Sequence, residues 1–163
     1  MANWGSCDFR ELEKMRDKLE QLSESDIDLF CSSVAKELAA RLLAKVIKRT
    51  PVGQYSEAGK KGGTLRRGWT TQQSGSGSEG MKTSGASQYV DTLKVHYYDG
   101  NYIVEITNPI MYASYVEFGH RTANHQGWVD GKFMMTISEK ELEQQAPSLI
   151  QKKLEKYLKE VFK

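Results

Sequence analysis

Three side chains that could do chemistry together fall within nine residues: Glu117, His120 and His125. A carboxylate and two imidazoles are the donor set of a zinc site or an acid/base pair. Zinc requires such ligands to converge on one point, each held by further partners. The spacings of three and five do not match the helical pair of histidines one turn apart, and Gly119 interrupts a helix between Glu117 and His120. These residues therefore read as a surface glutamate followed by polar residues past a helix end, with no catalytic, metal or cofactor role assigned.

Other catalytic patterns are weaker. Ser114 and Ser138 lack the glycine-flanked elbow that presents a nucleophile. Gly59-Lys60-Lys61-Gly62-Gly63-Thr64 has glycines and lysines but not the phosphate-loop spacing. Cys7 and Cys31 match no zinc motif and are too few for a disulfide framework; Cys31 lies on an apolar helical stripe and is expected as a buried thiol. That usage fits synthesis in the cytoplasm.

The elements that must position these residues form one chain of 163 residues, read as a single domain over 1–163. Its 39% hydrophobic content is modest and its 27% charge ordinary. No apolar stretch approaches the ~20 residues of a bilayer span, and eight acidic against four basic residues in 1–30 argue against a secretory leader. Charge is uneven: residues 36–67 hold nine basic and two acidic side chains. That block is either a solvated helix face with a polar loop or a surface matched to acidic protein or nucleic acid.

Phe9, Leu12, Met15, Leu19 and Leu22 predict a helix from Asp8, its N-cap, to about Leu22. Ile27, Phe30, Cys31, Val34, Leu38, Leu42 and Val46 predict a second, from Asp26 to Arg49, ended by Thr50-Pro51. Glu37, Arg41, Lys45 and Lys48 line its polar side. Residues 53–63 read as a loop, Thr64 to Thr71 as a strand weakened by Gly68, and 72–87 as a flexible Gly/Ser-rich insertion.

From Gln88 to Thr107 the alternation of Leu93, Val95 and Tyr97, then Tyr102, Val104 and Ile106, predicts a β-hairpin. Its turn falls at Asp99-Gly100 or at Gly100-Asn101; either places those residues on one apolar face. A short aromatic helix from Tyr112 to Phe118 comes next, then a loop from Thr122 to Asp130. Gly131 opens a C-terminal helical stretch, with either a kink at Pro147 or two helices meeting near Gln145-Ala146. The fold class is α+β: an antiparallel sheet with a central hairpin, packed against two N-terminal helices, a short helix and a long C-terminal helix.

Tyr112, Tyr115, Phe118, Trp128 and Phe133 are too many aromatics for one short helix to bury. About three are expected in the core; aromatics beside arginine also mark subunit contacts.

Three blocks in this order resemble the tail-completion, or head–tail joining, family of tailed bacteriophages. They are Thr50-Pro51-Val52 with Gly63-Thr64-Leu65-Arg66-Arg67-Gly68-Trp69; Asn108 with Tyr112-Ala113-Ser114-Tyr115-Val116-Glu117-Phe118-Gly119-His120; and Trp128-Val129-Asp130-Gly131-Lys132-Phe133 before a terminal helix. The resemblance spans about residues 9–162. It implies a non-enzymatic virion subunit of the neck or proximal tail of a phage, or of a phage-derived tail particle, assembled in the bacterial host cytoplasm as a homo-oligomeric ring, commonly sixfold. Its neighbours would be neck, connector or tail-tube proteins. The family supplies no catalytic or cofactor residues. The segments 53–62 and 72–87 look longer than the family's usual links and would serve as arms ordering on assembly.

On that reading Tyr112, Tyr115, Glu117, Phe118, His120, Arg121 and Trp128 are candidate subunit contacts. Arg41, Lys45, Lys48, Lys60, Lys61, Arg66 and Arg67 would face transiting DNA in the lumen or the acidic face of an adjacent ring. The alternative function is a nucleic-acid-binding module using residues 36–67, which predicts salt-dependent DNA binding by the isolated chain.

Overall fold

The computed structural model describes residues 10–20, 24–54, 62–70 and 85–162. Their elements run α1 (Arg10–Glu20), α2 (Glu24–Arg49), α3 (Thr64–Gly68), α4 (Ala86–Thr92), β1 (His96–Tyr98), β2 (Asn101–Ile103), α5 (Ala113–Phe118), β3 (Gly119–Arg121), β4 (Trp128–Asp130) and α6 (Met134–Val161). The class is α+β. The expected cap at Asp8, the insertion over 71–84 and the loop residues 55–61 lie outside the described residues.

The core gathers along α2. Ala39, Leu43 and Val46 meet Leu65 and Trp69 from α3 and its C-terminal flank, Tyr89 and Val90 from α4, and Met134 from α6. The long helices α2 and α6 run antiparallel, as three cross-links show. Arg49 pairs with Glu141, Lys153 reaches Glu37 at 2.8 Å, and Phe30 stacks on Tyr157 with centroids 4.6 Å apart. Cys31 is half-buried rather than enclosed.

Thr50 closes α2 and anchors α3 to its end. It is fully buried, and both its amide and its hydroxyl donate to the Val46 carbonyl. Its hydroxyl accepts from Trp69 Nε1 at 2.7 Å, and its carbonyl accepts from Arg66 Nε and Nη2 at 3.1 and 2.7 Å. That network explains why the strand expected over 64–71 is not found in its described part: residues 64–68 form a helical turn. Gly63 enters the turn with φ +93, a left-handed conformation that glycine reaches without Cβ strain. Leu65 and Trp69, four apart, then share one inward face, and Arg66 reaches back to Thr50.

Gly68 is needed here for space. A Cβ at this position would lie 2.4 Å from Asn108 Oδ1 and 2.7 Å from Ile110 Cγ1. Asn108 in turn donates from Nδ2 to the Leu65 carbonyl at 2.9 Å and accepts from the Ile110 amide at 3.2 Å. The Asn108-Pro109 corner thus clamps α3 onto the core.

The hairpin is shorter than its sequence suggested. Gln88–Thr92, read as β, belongs to α4: Gly85 N–H donates to Gln88 Oε1 at 3.3 Å, and Tyr89 and Val90 are buried. The ladder pairs His96 with Ile103, Tyr97 with Tyr102 and Tyr98 with Asn101. The turn is therefore Asp99-Gly100, both residues at positive φ. Leu93, Val104 and Ile106 still pack on the core, but Tyr97 is exposed and leans on Tyr102, ring centroids 5.0 Å apart.

Instead of the loop expected over 122–130, this segment holds the second strand of a further hairpin, β3–β4, with His120 opposite Val129 and Arg121 opposite Trp128. The two hairpins are separate two-stranded sheets. Finally, α6 starts at Met134 and runs as one helix through Pro147, so of the two alternatives, a kink or two helices, the second is not formed. Pro147 and Glu143, whose carbonyl loses its intrahelical donor there, are both exposed.

Candidate assembly surface

The constellation of Glu117, His120 and His125 is taken apart by the fold. Glu117 is not a surface residue but 6% exposed, because α5 presses it against the start of α6. Its Oε2 accepts the Met135 amide at 3.0 Å; Oε1 accepts the Thr136 amide at 2.9 Å and the Thr136 hydroxyl at 2.8 Å. The first amides of a helix have no partner within it, and its N-terminus favours negative charge. Phe133, at the cap position with φ 46, offers no side-chain acceptor. A glutamate 16 residues upstream does that work, which removes Glu117 from the exposed contact residues.

His120 Nδ1 lies 3.4 Å from the Tyr115 carbonyl, its ring 5.8 Å from the Tyr115 ring. His125 sits in the β3–β4 loop at φ 57, its amide bonded to the Thr122 carbonyl. Among the described residues no three His, Cys, Asp or Glu side chains gather as metal ligands.

The basic block is largely consumed within the chain. Arg41 pairs with Glu37 at 2.8 Å, and Lys45 with Glu141 at 2.9 Å. Arg49 pairs with Glu141 and donates to Ser138 Oγ at 3.1 Å. These cations hold their carboxylates below the ordinary range: Lys153 and then Arg41 act on Glu37, Lys45 and then Arg49 on Glu141. Arg66 is bound to Thr50, and Arg67 to the Gly62 carbonyl and Thr64 Oγ1. Lys48 is exposed with no carboxylate partner among the described residues, while Lys60 and Lys61 lie outside them.

The aromatic residues behave oppositely to the expectation that about three would be core. Ala113, Val116 and Glu117 face inward from α5, whereas Tyr112, Tyr115 and Phe118 face out. Tyr115, Phe118 and Trp128 are 60, 62 and 59% exposed, and Phe133 is exposed too.

Two glycines hold this surface together. A Cβ on Gly119 would lie 2.5 Å from the Val129 carbonyl and 3.0 Å from Trp128 Nε1; one on Gly131 would lie 2.3 Å from the Glu117 carbonyl. The β3–β4 hairpin therefore lies against the end of α5, and Phe118, Trp128 and Phe133 surround that contact. The Lys132 and Phe133 amides donate to the Val116 and Glu117 carbonyls, fixing the start of α6 to the same place. Sequence reasoning found these aromatics but not their direction. The signal was the small and apolar pair Ala113 and Val116 at a spacing of three, which already supplies the inward face of a six-residue helix.

The aromatics of α5 and the β3–β4 hairpin thus point outward, while Glu117 serves the start of α6 and Thr50 the end of α2. Residues 13–119 match the family described as "Bacteriophage HK97-gp10, putative tail-component". The chain belongs to this family, a bacteriophage tail-component family. The match includes the Thr50 network, the Asn108 corner and α5; Trp128 to Phe133, where the resemblance also extended, lies beyond it. No curated protein and no solved structure matches the chain. No helix among the described residues is long and apolar enough to cross a membrane.

Proposed function

We propose that this chain is a non-enzymatic structural subunit of the neck or proximal tail, acting as one domain that repeats as a ring, sixfold by the family resemblance, and joins or completes the tail at the head. It is placed in the virion after assembly in the host cytoplasm, against neck, connector or tail-tube proteins. The observation that carries this reading is the outward aromatic face of α5 and the β3–β4 hairpin. Monomeric surfaces rarely keep so large an apolar patch uncovered, and aromatic residues with a neighbouring arginine, here Arg121, are enriched at interfaces. Tyr112, Tyr115, Phe118, His120, Arg121 and Trp128 are its contact residues.

Imaging of assembled particles with a tag after α6 tests the placement. A ring of density at the head–tail junction is the expected result; particles of normal form lacking the subunit would remove the reading.

The nucleic-acid module loses ground because Arg41, Lys45, Arg49, Arg66 and Arg67 serve partners in the same chain. Lumenal contact with DNA would rest on Lys48, Lys60 and Lys61. Filter binding of duplex DNA by the isolated chain should show weak affinity at low salt; tight binding with a steep salt slope would restore the module.

A further inference from the structure

Two Asp-Gly steps occur in the sequence, Asp99-Gly100 and Asp130-Gly131. Such a step has its own chemistry: glycine has no side chain, which leaves its amide nitrogen open to the carboxyl group of the aspartate before it. The residue pair is the same at both places, and both aspartates are exposed. Neither carboxylate has a hydrogen-bond or ion-pair partner among the described residues. The backbone around them is what differs.

Asp99 and Gly100 are the tip of the β1–β2 hairpin, both exposed, with φ 48 and 77. A Cβ on Gly100 would meet nothing within 4 Å beyond its chain neighbours. Among the described residues the tip is held by a three-pair ladder and by Asn101 Nδ2, which donates to the Asp99 carbonyl at 2.9 Å. An end of this kind opens at little cost in free energy.

Asp130-Gly131 lies instead at the neck between the β3–β4 hairpin and α6. Asp130 pairs with Gly119 in the ladder, and the next two amides, of Lys132 and Phe133, donate to the Val116 and Glu117 carbonyls at 2.8 and 3.0 Å. Gly131 is wedged: a Cβ there would lie 2.3 Å from the Glu117 carbonyl oxygen and 2.7 Å from the Phe118 carbonyl carbon. Turning this peptide until Asp130 Cγ meets Gly131 N would release the start of α6.

We infer that Asp99-Gly100 is a site of spontaneous conversion of aspartate to isoaspartate, and that the fold protects Asp130-Gly131 from the same reaction. The Gly100 amide nitrogen attacks the protonated Asp99 carboxyl at Cγ. The N–Cγ bond forms, the Cγ–OH bond breaks, and the hydroxyl leaves with the amide proton as water. Water then opens the resulting five-membered succinimide at either carbonyl. Cleavage of the N–Cγ bond restores aspartate; cleavage of the original peptide C–N bond leaves the chain running through Cβ and Cγ. One water is released and one is taken up, so mass is unchanged and no other reactant is needed. Isoaspartate adds one backbone carbon to a two-residue turn whose length sets the pairing of Tyr98 with Asn101. The bond from the Tyr102 hydroxyl to Asp28 on α2 hangs on the same register.

The full chain, incubated folded and in parallel in denaturing urea, tests this. Proteolysis with mass spectrometry separates the isomeric peptides, and labelled methyl transfer by an isoaspartyl methyltransferase counts isoaspartate. In the folded chain it should accumulate at residue 99 at least about tenfold faster than at 130, a difference of about 1.4 kcal/mol in reaching the reactive geometry. In urea the two steps should react at similar rates. Asp99→Glu, whose longer side chain would need a six-membered ring, should remove most of the folded chain's signal.

Comparable rates at 99 and 130 in the folded chain overturn the inference. So does isoaspartate at 99 that forms only in urea, because the turn then holds its peptide as firmly as the neck does. A ratio in urea as large as in the folded chain overturns the protection by assigning the difference to neighbouring residues. An unchanged yield from Asp99→Glu overturns the site itself.

Discussion

Glu117 shows how much one side chain can carry without touching a ligand. Two backbone amides and a hydroxyl depend on its carboxylate, and no other side chain caps α6. Glu117→Ala should destabilise the fold by about 2 kcal/mol, a cap loss with buried donors left unpaired. Glu117→Gln should recover part of this. Denaturant melts measure both, and an unchanged midpoint for alanine would contradict the capping role.

Tyr157 offers the reverse case. Its hydroxyl is buried and has no hydrogen-bond partner among the described residues. Tyr157→Phe should leave stability equal or raise it by up to about 1 kcal/mol, because the unsatisfied group is removed and the stack on Phe30 is kept. A clear loss in a thermal melt would mean that the hydroxyl has a partner in solution.

Between elements, stability rests on the Thr50 network and on the ties between α2 and α6. Gly68→Ala should cost more than about 2 kcal/mol, since its methyl group meets the side chains of Asn108 and Ile110 in a packed corner; a melt within error of wild type would refute the close approach. The cross-helix ion pairs give a pH dependence of definite sign. Glu37 and Glu141 have folded pKa values below the ordinary 4.5. Their contribution is therefore complete above 4.5 and is lost as pH falls through the depressed folded values. Urea midpoints should decline on acidification below about pH 4.5, and Glu37→Gln with Glu141→Gln should flatten that decline. Both carboxylates are partly exposed, so the effect is modest and shrinks with salt.

At this scale the sequence was informative where period and turn chemistry agreed. The span of α2, its stop at Thr50-Pro51 and α5 were legible, and the hairpin turn was narrowed to two positions, of which Asp99-Gly100 is the one formed. Leu65 and Trp69 were ambiguous because a spacing of four puts both on one face of a helix or a strand. α4 was hidden because Tyr89 and Val90 continue an apolar run into the hairpin. The β3–β4 hairpin gives no period-two signal over three-residue strands, and its loop places His125, not glycine, at positive φ. The burial of Glu117 was invisible because its partners are amides, which a sequence does not display.

For the whole molecule, the aromatics divide: Trp69 and Tyr89 build the core, while those of α5 and the β3–β4 hairpin turn outward. Phe118 and Trp128 do not hold the fold, so Phe118→Ser and Trp128→Glu should each shift folding stability by no more than about 0.5 kcal/mol while removing assembly. A melt that collapses with either substitution would return these rings to the core. Apolar contacts also predict self-association that survives moderate salt, in contrast to the salt-sensitive DNA binding of the competing reading.

The antiparallel packing of α2 and α6 has a consequence for synthesis. Trp69 reaches Thr50 across 19 residues, so that part of the core can close while translation continues. The pairing of α2 with α6 needs Lys153 and Tyr157 beside Glu37 and Phe30, more than a hundred residues earlier in the chain. A chain interrupted before the end of α6 leaves Glu37 and Phe30 without these partners. The Thr50 corner can therefore form ahead of the helix pair, so the order of synthesis is also an order of folding.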